Sequence, residues 1–476
     1  MPTRSHAGYA PPQPEHATAR PADPVTADYL RRCAEPGSVL PDAWATASLP
    51  PALAAAAGHR LLHRPLFAAE EQVARAAADS AALFDLLTSL PERLFDGDLD
   101  AYCAAIGVNG PMRELVTRFG GTAPPRYGRT DMYEADGAFR LLEFNIASEL
   151  GGIDRAGALP RLWSRIPAFA DFAKRHRLGH LDTGLHVAAT LREAARPVAG
   201  ADTPSVVLLE APGGLAAFGA VWEALAELMR GHGLDFRVAE LQDVHVAGDR
   251  VTVGGARVHL VLRCFSAEEL LTRPRGRELA EPLFRAHQSG AVVLWTPMES
   301  YLFSNKTALA LLSAAAEDGR LDATETALVD RLLPWTRALP GAPRLAAPDL
   351  FDACLARRPE LVLKPAGGYG GSGVVAGWEQ TPDQWRRALD AVDEAGAVVQ
   401  QRVVPRIEPV VDPATGRTEA WHAVWSLFLT PQGHAGTYAR AVPAGDGAVI
   451  GMGANPRART AAVFTYPPAP GTREVR

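Results

Sequence analysis

The stretch LVLKPAGGYGGSGVV, residues 361–375, decides how the chain is read. An apolar strand pattern runs into Lys364, then a glycine run, then a second β-branched stretch. Gly368, Gly370 and Gly373 spell G-x-G-x-x-G, which several nucleotide-binding architectures share in part. A dinucleotide fingerprint needs its last glycine to open a helix, but here the strand-like VVAGW follows. A Walker loop ends in Gly-Lys-Ser/Thr, whereas this lysine precedes the glycines. A protein kinase has its lysine on the strand after the loop and carries H-R-D and D-F-G downstream; neither is present. What remains is a β-hairpin with a flexible tip. Backbone N–H groups approach phosphate closely only where side chains are absent. Gly367, Gly368, Gly370, Gly371, Ser372 and Gly373 are therefore candidate phosphate-binding positions, and Lys364 can reach the same phosphates.

The chain has 476 residues, so two or three domains are expected. Its net charge of −6, with no basic stripe, speaks against nucleic acid as a partner. No apolar run reaches the 18 residues of a membrane span. The N-terminus lacks the apolar middle of a signal peptide, and its prolines predict a disordered arm over 1–25. Cys33, Cys103, Cys264 and Cys354 are far apart, which predicts no disulfide or zinc site and a cytoplasmic location. Only three lysines occur: Lys174, Lys306 and Lys364. Arginine supplies nearly every other positive charge, so lysines inside motifs mark places that need a compact ammonium.

Helices are expected over 26–118, including one unbroken helix over 66–90. Strands follow at 127–134 and 139–146 around an Asp136-Gly137 turn, then helices over 155–198. Strands and helices alternate over 201–300, which implies an α/β domain with a mainly parallel sheet and a tight turn at 212–214. A helix begins at 304 and helices continue to about 355, followed by the glycine hairpin and further strands. Residues 461–476 read as a proline-rich tail. Lys306 falls in the first turn of a helix that Ser304 or Asn305 caps. A cation there opposes the helix dipole, which suggests an anionic partner.

Phosphate chemistry calls for a divalent cation with oxygen ligands. In LLEFNI, Glu143 and Asn145 are two apart on a strand and share a face, with Leu142, Phe144 and Ile146 on the other. Asp131 lies across the hairpin, and register decides whether it meets Glu143. A two-residue turn at Asp136-Gly137 sets Asp131 opposite Leu142; a loop of odd length, such as 136–138, sets it opposite Glu143. The second register is the expectation, giving Asp131, Glu143 and Asn145 as a metal set.

Together these residues resemble the ATP-grasp superfamily. The metal strand precedes both lysines, an order similar to the circularly permuted branch of eukaryotic glutathione synthetases and glutathionylspermidine synthetases. The likeness runs from about 127 to 455. It is carried by Arg129, Asp131, Glu143 and Asn145, by NK at 305–306, by LKPxxGxGGxG at 363–373, by VVQQRV at 398–403 and by GTYAR at 436–440. The resemblance implies an α/β (α+β) ATP-grasp fold in permuted order. Residues 26–200 would hold the helical region and metal hairpin, and 201–300 a Rossmann-like substrate domain. Residues 301–460 would hold the lysine helix, glycine lid and hinge. It implies ATP held by Lys306, Lys364, the glycines and a hinge at Gln400 and Gln401. It also implies Mg2+, as two ions, and Arg129 and Arg440 offsetting charge on the transferred phosphoryl. The activity implied is carboxylate–amine ligation on small molecules, with a homodimer left open and no membrane partner. ATP-dependent phosphotransfer and non-catalytic nucleotide binding are the alternatives. One departure is that residues 365–373 contain no acid, where the glutathione synthetases place a metal-binding glutamate.

Overall fold

The structure is a computed structural model that describes residues 23–57, 60–118, 123–368 and 370–468. All but the last three residues of the expected N-terminal arm lie outside these, as do Tyr369 and the final eight residues. Those three arm residues are ordered by a helix cap. The Asp23 carboxylate accepts from the backbone of Val25 and Thr26 and starts the helix Pro24–Cys33.

Four sheets organise the described residues. The largest has seven strands. Its path runs Leu66–Ala69, Arg459–Tyr466, Gly433–Pro443, Thr418–Thr430, Gly128–Ala135 and Ala138–Asn145, with Ile407–Val411 pairing on Thr418–Thr430. Two expectations fail here. LFAA at 66–69 is a strand, and the helix begins only at Glu70. Its Leu66 and Phe67 are fully buried and pair in parallel with Val463 and Phe464, so partner choice overrides their helix propensity. That partner strand also takes in 461–466, the first six residues of the region read as a tail.

The α/β segment forms a four-stranded, wholly parallel sheet in the order Val293–Trp295, Leu260–Arg263, Ser205–Glu210, Asp235–Glu240. Helices Thr183–Ala199 and Gly214–Gly231 pack on it. The Pro-Gly-Gly turn opens the second helix, and its orphan N–H groups at Gly213 and Leu215 are taken by Glu240 of the same chain, at 3.0 and 2.9 Å.

A third sheet is antiparallel, Thr336–Leu339, Ala397–Gln401, Leu361–Pro365, Val375–Ala376. Its first strand interrupts a region expected to be helical. Its last two close the glycine hairpin, with Leu363 opposite Val375, as the sequence predicts. Val244–Ala247, Arg250–Val253 and Ala256–Arg257 make a small separate sheet. A cavity of about 530 Å³ lies between the seven-stranded sheet and the glycine-hairpin sheet, within the usual range for small-molecule sites.

Candidate active site

The metal hairpin shows how one strand pair satisfies two conflicting registers. Asp136 and Gly137 have φ of 53° and 83°, so the turn is the two-residue kind and Ala135 pairs with Ala138. Regular pairing continues to Met132 opposite Leu141. A β-bulge then inserts Leu142, and Asp131 pairs with Glu143 rather than Leu142. The expected pair is present, but the odd-length loop invoked for it is not. The bulge also turns Leu142 to the cavity wall instead of the core; Leu141, Phe144 and Ile146 face the core.

The extra residue has a partner of its own. Lys364 ends the strand Leu361–Pro365 and donates from Nζ to the Leu142 carbonyl at 2.8 Å and to Gln400 Oε1 at 2.7 Å. Gln400 is fixed in turn by donating to Thr336 Oγ1 at 3.2 Å. Burial pushes the Lys364 ammonium down to about 8, Glu143 opposes that shift, and Lys306 adds to it.

Asn305 caps the helix Lys306–Glu317, its Oδ1 accepting from Thr307 N–H at 2.9 Å. Lys306 meets the glycine run twice: its N–H donates to Ala366 O at 2.9 Å and its Nζ to Gly368 O at 3.1 Å. The same Nζ lies 3.8 Å from Glu143 Oε2. The two lysines, 58 positions apart, thus flank one carboxylate.

Glu143 is held loosely, with Asn145 Nδ2 at 3.4 Å from its Oε1 and a quarter of its side chain exposed. Both residues line the cavity. Asp131 is held tightly. It is 2% exposed and bonded to both Arg129 and Arg440. Burial alone would raise its carboxyl, but the two guanidinium groups hold it well below the usual carboxylate range. Arg440 lines the cavity, and its Nε is buried with no hydrogen-bond partner.

Gly370 and Gly371 line the cavity; Gly367, Gly368, Ser372 and Gly373 do not in this conformation. Gly368, Gly370, Gly371 and Gly373 all have positive φ, which accounts for the glycine content of the run. Gln400 and Gln401 end their strand at the cavity, and residues 402–405 continue along its wall. Arg402 stacks over Trp378 there, 4.2 Å from guanidinium carbon to ring centroid.

Several residues of the site were not foreseen. Ser426 sits opposite Asp131 on the neighbouring strand, which only the strand pairing reveals. Glu149 reaches the wall and pairs with Arg263 at 2.8 Å. The loop 444–451 also lines the cavity and touches the glycine hairpin, because a Cβ on Gly451 would meet Gly370 O at 2.9 Å. Its run AGDGAVIGMG was a readable signal, a second glycine-rich stretch after the last long strand.

Glu143 and Asn145 fit a magnesium ion, since both line the cavity and carry a side-chain oxygen. Among the described residues, no cluster of three His, Cys, Asp or Glu side chains has metal-binding geometry. No described helix is long and apolar enough to cross a membrane.

No family model matches the chain, and no curated protein matches it. Among solved structures, it superposes on a glutathione synthetase-like effector from Globodera pallida, in its apo form. The TM-score is 0.53 at 12% identity, over 85% of this chain and 90% of that one. A candidate gamma-glutamylcysteine synthetase from Methylobacillus flagellatus gives 0.42 at 14% identity, over 77% and 83%. D-alanyl-alanine synthetase A from Vibrio cholerae O1 gives 0.27 at 14%, over 48% and 68%. The last two overlaps are too loose to argue from. The chain therefore shares its overall fold with the glutathione synthetase-like effector.

Proposed function

We propose that the chain is an ATP-dependent carboxylate–amine ligase of the ATP-grasp type, in circularly permuted order. It joins a small-molecule or peptide carboxylate to an amine through an acyl phosphate and releases ADP and phosphate. The observation that carries this reading is the charge around Glu143 and Asp131. Four cations, Arg129, Lys306, Lys364 and Arg440, converge on these two carboxylates, and Arg440 Nε is buried without a partner. Such an excess of buried positive charge is costly until an anion arrives to offset it. A polyphosphate beside a carboxylate supplies that anion.

In this reading Lys306, Lys364 and the backbone of Gly370 and Gly371 hold the phosphates. The wall formed by Trp378 and residues 401–405 takes the base. Arg129 and Arg440 face the transferred phosphoryl group and the substrate carboxylate, where negative charge concentrates in the transition state. The carboxylate oxygen attacks the γ-phosphorus and ADP leaves. The amine then attacks the acyl carbon and phosphate leaves. The glycine hairpin and the 444–451 loop, already touching, close over the cavity and keep water from the acyl phosphate. Magnesium, held by Glu143 and Asn145, would neutralise phosphate oxygens.

The test is a screen of carboxylate and amine pairs for ADP formation. The expected result is phosphate release that requires both substrates, with Glu143→Gln lowering kcat by roughly a hundredfold or more. Release that needs no amine would point instead to phosphotransfer. Absence of any nucleotide binding would sink the reading altogether.

A further inference from the structure

The Asp131 carboxylate has no room for a metal. A carboxylate offers about four lone-pair positions. Asp131 Oδ1 accepts from Arg129 Nε at 2.9 Å and from Ser426 Oγ at 2.6 Å. Oδ2 accepts from Arg129 Nη2 at 2.9 Å and from Arg440 Nη2 at 2.7 Å. All four positions are in use, and three of the four donors are guanidinium nitrogens. The contrast with Glu143, its direct partner across the hairpin but loosely held at the cavity wall, is plain.

Magnesium demands ligand oxygens at about 2.0–2.1 Å in near-octahedral geometry. To ligate it, Asp131 must give up one of these donors and bring a dication beside two buried guanidinium groups. The like charges of Arg129 and Arg440 already oppose each other, and Asp131 is the carboxylate that lets them share one place. Arg129 is anchored further by donating from Nη1 to Gly151 O at 2.8 Å. Ser426 is wholly buried, in register with Asp131, and completes the carboxylate's shell. A hydroxyl at that position of a buried strand needs a reason, and this contact supplies it.

We propose that Asp131 and Ser426 form a clamp that positions the Arg129–Arg440 guanidinium pair toward the transferred phosphoryl group, and that Asp131 is not a metal ligand. The clamp acts before any ligand arrives, so the cations cost no reorganisation at the moment of reaction. The protein's share of the metal set is then Glu143 and Asn145 alone, because the glycine loop contains no acid to add to it. This inference rests on the nucleotide-binding reading above.

The experiment titrates Mn2+ by electron paramagnetic resonance in the presence of ADP. In parallel, calorimetry measures affinity for ADP and for the imido analogue of ATP, on the full chain. Asp131→Asn keeps the shape but puts an amide N–H against a guanidinium. It is expected to hold Mn2+ within about twofold of wild type and ADP likewise, and to lose about tenfold in affinity for the triphosphate analogue. Ser426→Ala is expected to lose about threefold for the same analogue, with Mn2+ unchanged. Glu143→Gln is expected to lose Mn2+ by tenfold or more. Loss of Mn2+ from Asp131→Asn as large as from Glu143→Gln would overturn the proposal. If Asp131→Asn fails to fold by circular dichroism, Ser426→Ala decides: unchanged affinity for the analogue overturns the clamp. Wild-type protein that binds no nucleotide overturns the nucleotide reading, and the clamp's purpose with it.

Discussion

Lys364 is buried at the end of its strand, facing a carbonyl, an amide oxygen and the charge of Glu143. With its ammonium pushed down to about 8, two pH effects of opposite sign follow. In the free protein, burying this ammonium is unfavourable; the penalty is full below about pH 8 and is relieved as pH rises from there toward 10.5, so stability gains across that window. Nucleotide binding needs the charged form, so affinity for Mg-ATP analogues should fall above pH 8 by up to about tenfold per pH unit. Calorimetry between pH 6.5 and 9.5 checks this, and Lys364→Met should bind weakly with a flatter profile. An unchanged profile in that variant would assign the titration to another group. A second residue-scale expectation concerns Gly371, at φ 81° and packed on the side chain of Val449. Gly371→Ala adds a Cβ into that contact and strains the backbone. It should raise the nucleotide off-rate by about tenfold in stopped-flow while leaving the melting temperature unchanged, because the strain falls on the lid.

At the scale of elements, the hairpin around Asp136–Gly137 carries the site. The place of its turn was legible from two residues, because Asp-Gly adopts the paired left-handed conformation at little cost, but the odd-length loop expected there was wrong. Its bulge was not legible. No residue type marks an extra position, and the register is set by Thr130 packing opposite Phe144 and by Ser426 on the next strand. The glycine hairpin and Asn305 cap were equally readable, from φ requirements and a short acceptor side chain. The strands at 66–69 and 336–339 were not, since their conformation is chosen by partners far away in the sequence. Deleting Leu142 should regularise the ladder, keep Asp131 opposite Glu143 and remove one of the two acceptors of Lys364, leaving Gln400. The expected cost is about 1.5–3 kcal/mol in nucleotide binding, the worth of a hydrogen bond to a charged group. Retained affinity would mean that the bulge serves only the shape of the strand.

Across the whole molecule, a buried ion network joins distant segments near the hairpin. Arg64 pairs with Glu408 at 2.7 Å, and Arg406 with Glu408 at 2.7 Å and Glu134 at 2.8 Å. Asp23, which caps the first described helix, lies 3.9 Å from Arg406. Removing one partner of such a network leaves an uncompensated buried charge. Glu408→Gln should therefore lower stability by about 3–5 kcal/mol in chemical denaturation. The exposed pair Arg275–Glu278 is the control: Glu278→Gln should produce no measurable change.

Among the described residues, the strand Leu66–Ala69 finds its partner only in Arg459–Tyr466. During synthesis, then, the early strand emerges long before the sequence that completes its edge exists. Until the ribosome delivers the last strand, Leu66 and Phe67 remain an apolar segment with open backbone groups, the kind of surface that chaperones bind. Such a distant pairing makes the final closure a slow, late event, well after the parallel sheet at 205–295 can form from local units. A nascent chain stalled before residue 459 should accordingly be digested by protease near residue 66 while the 205–295 region survives.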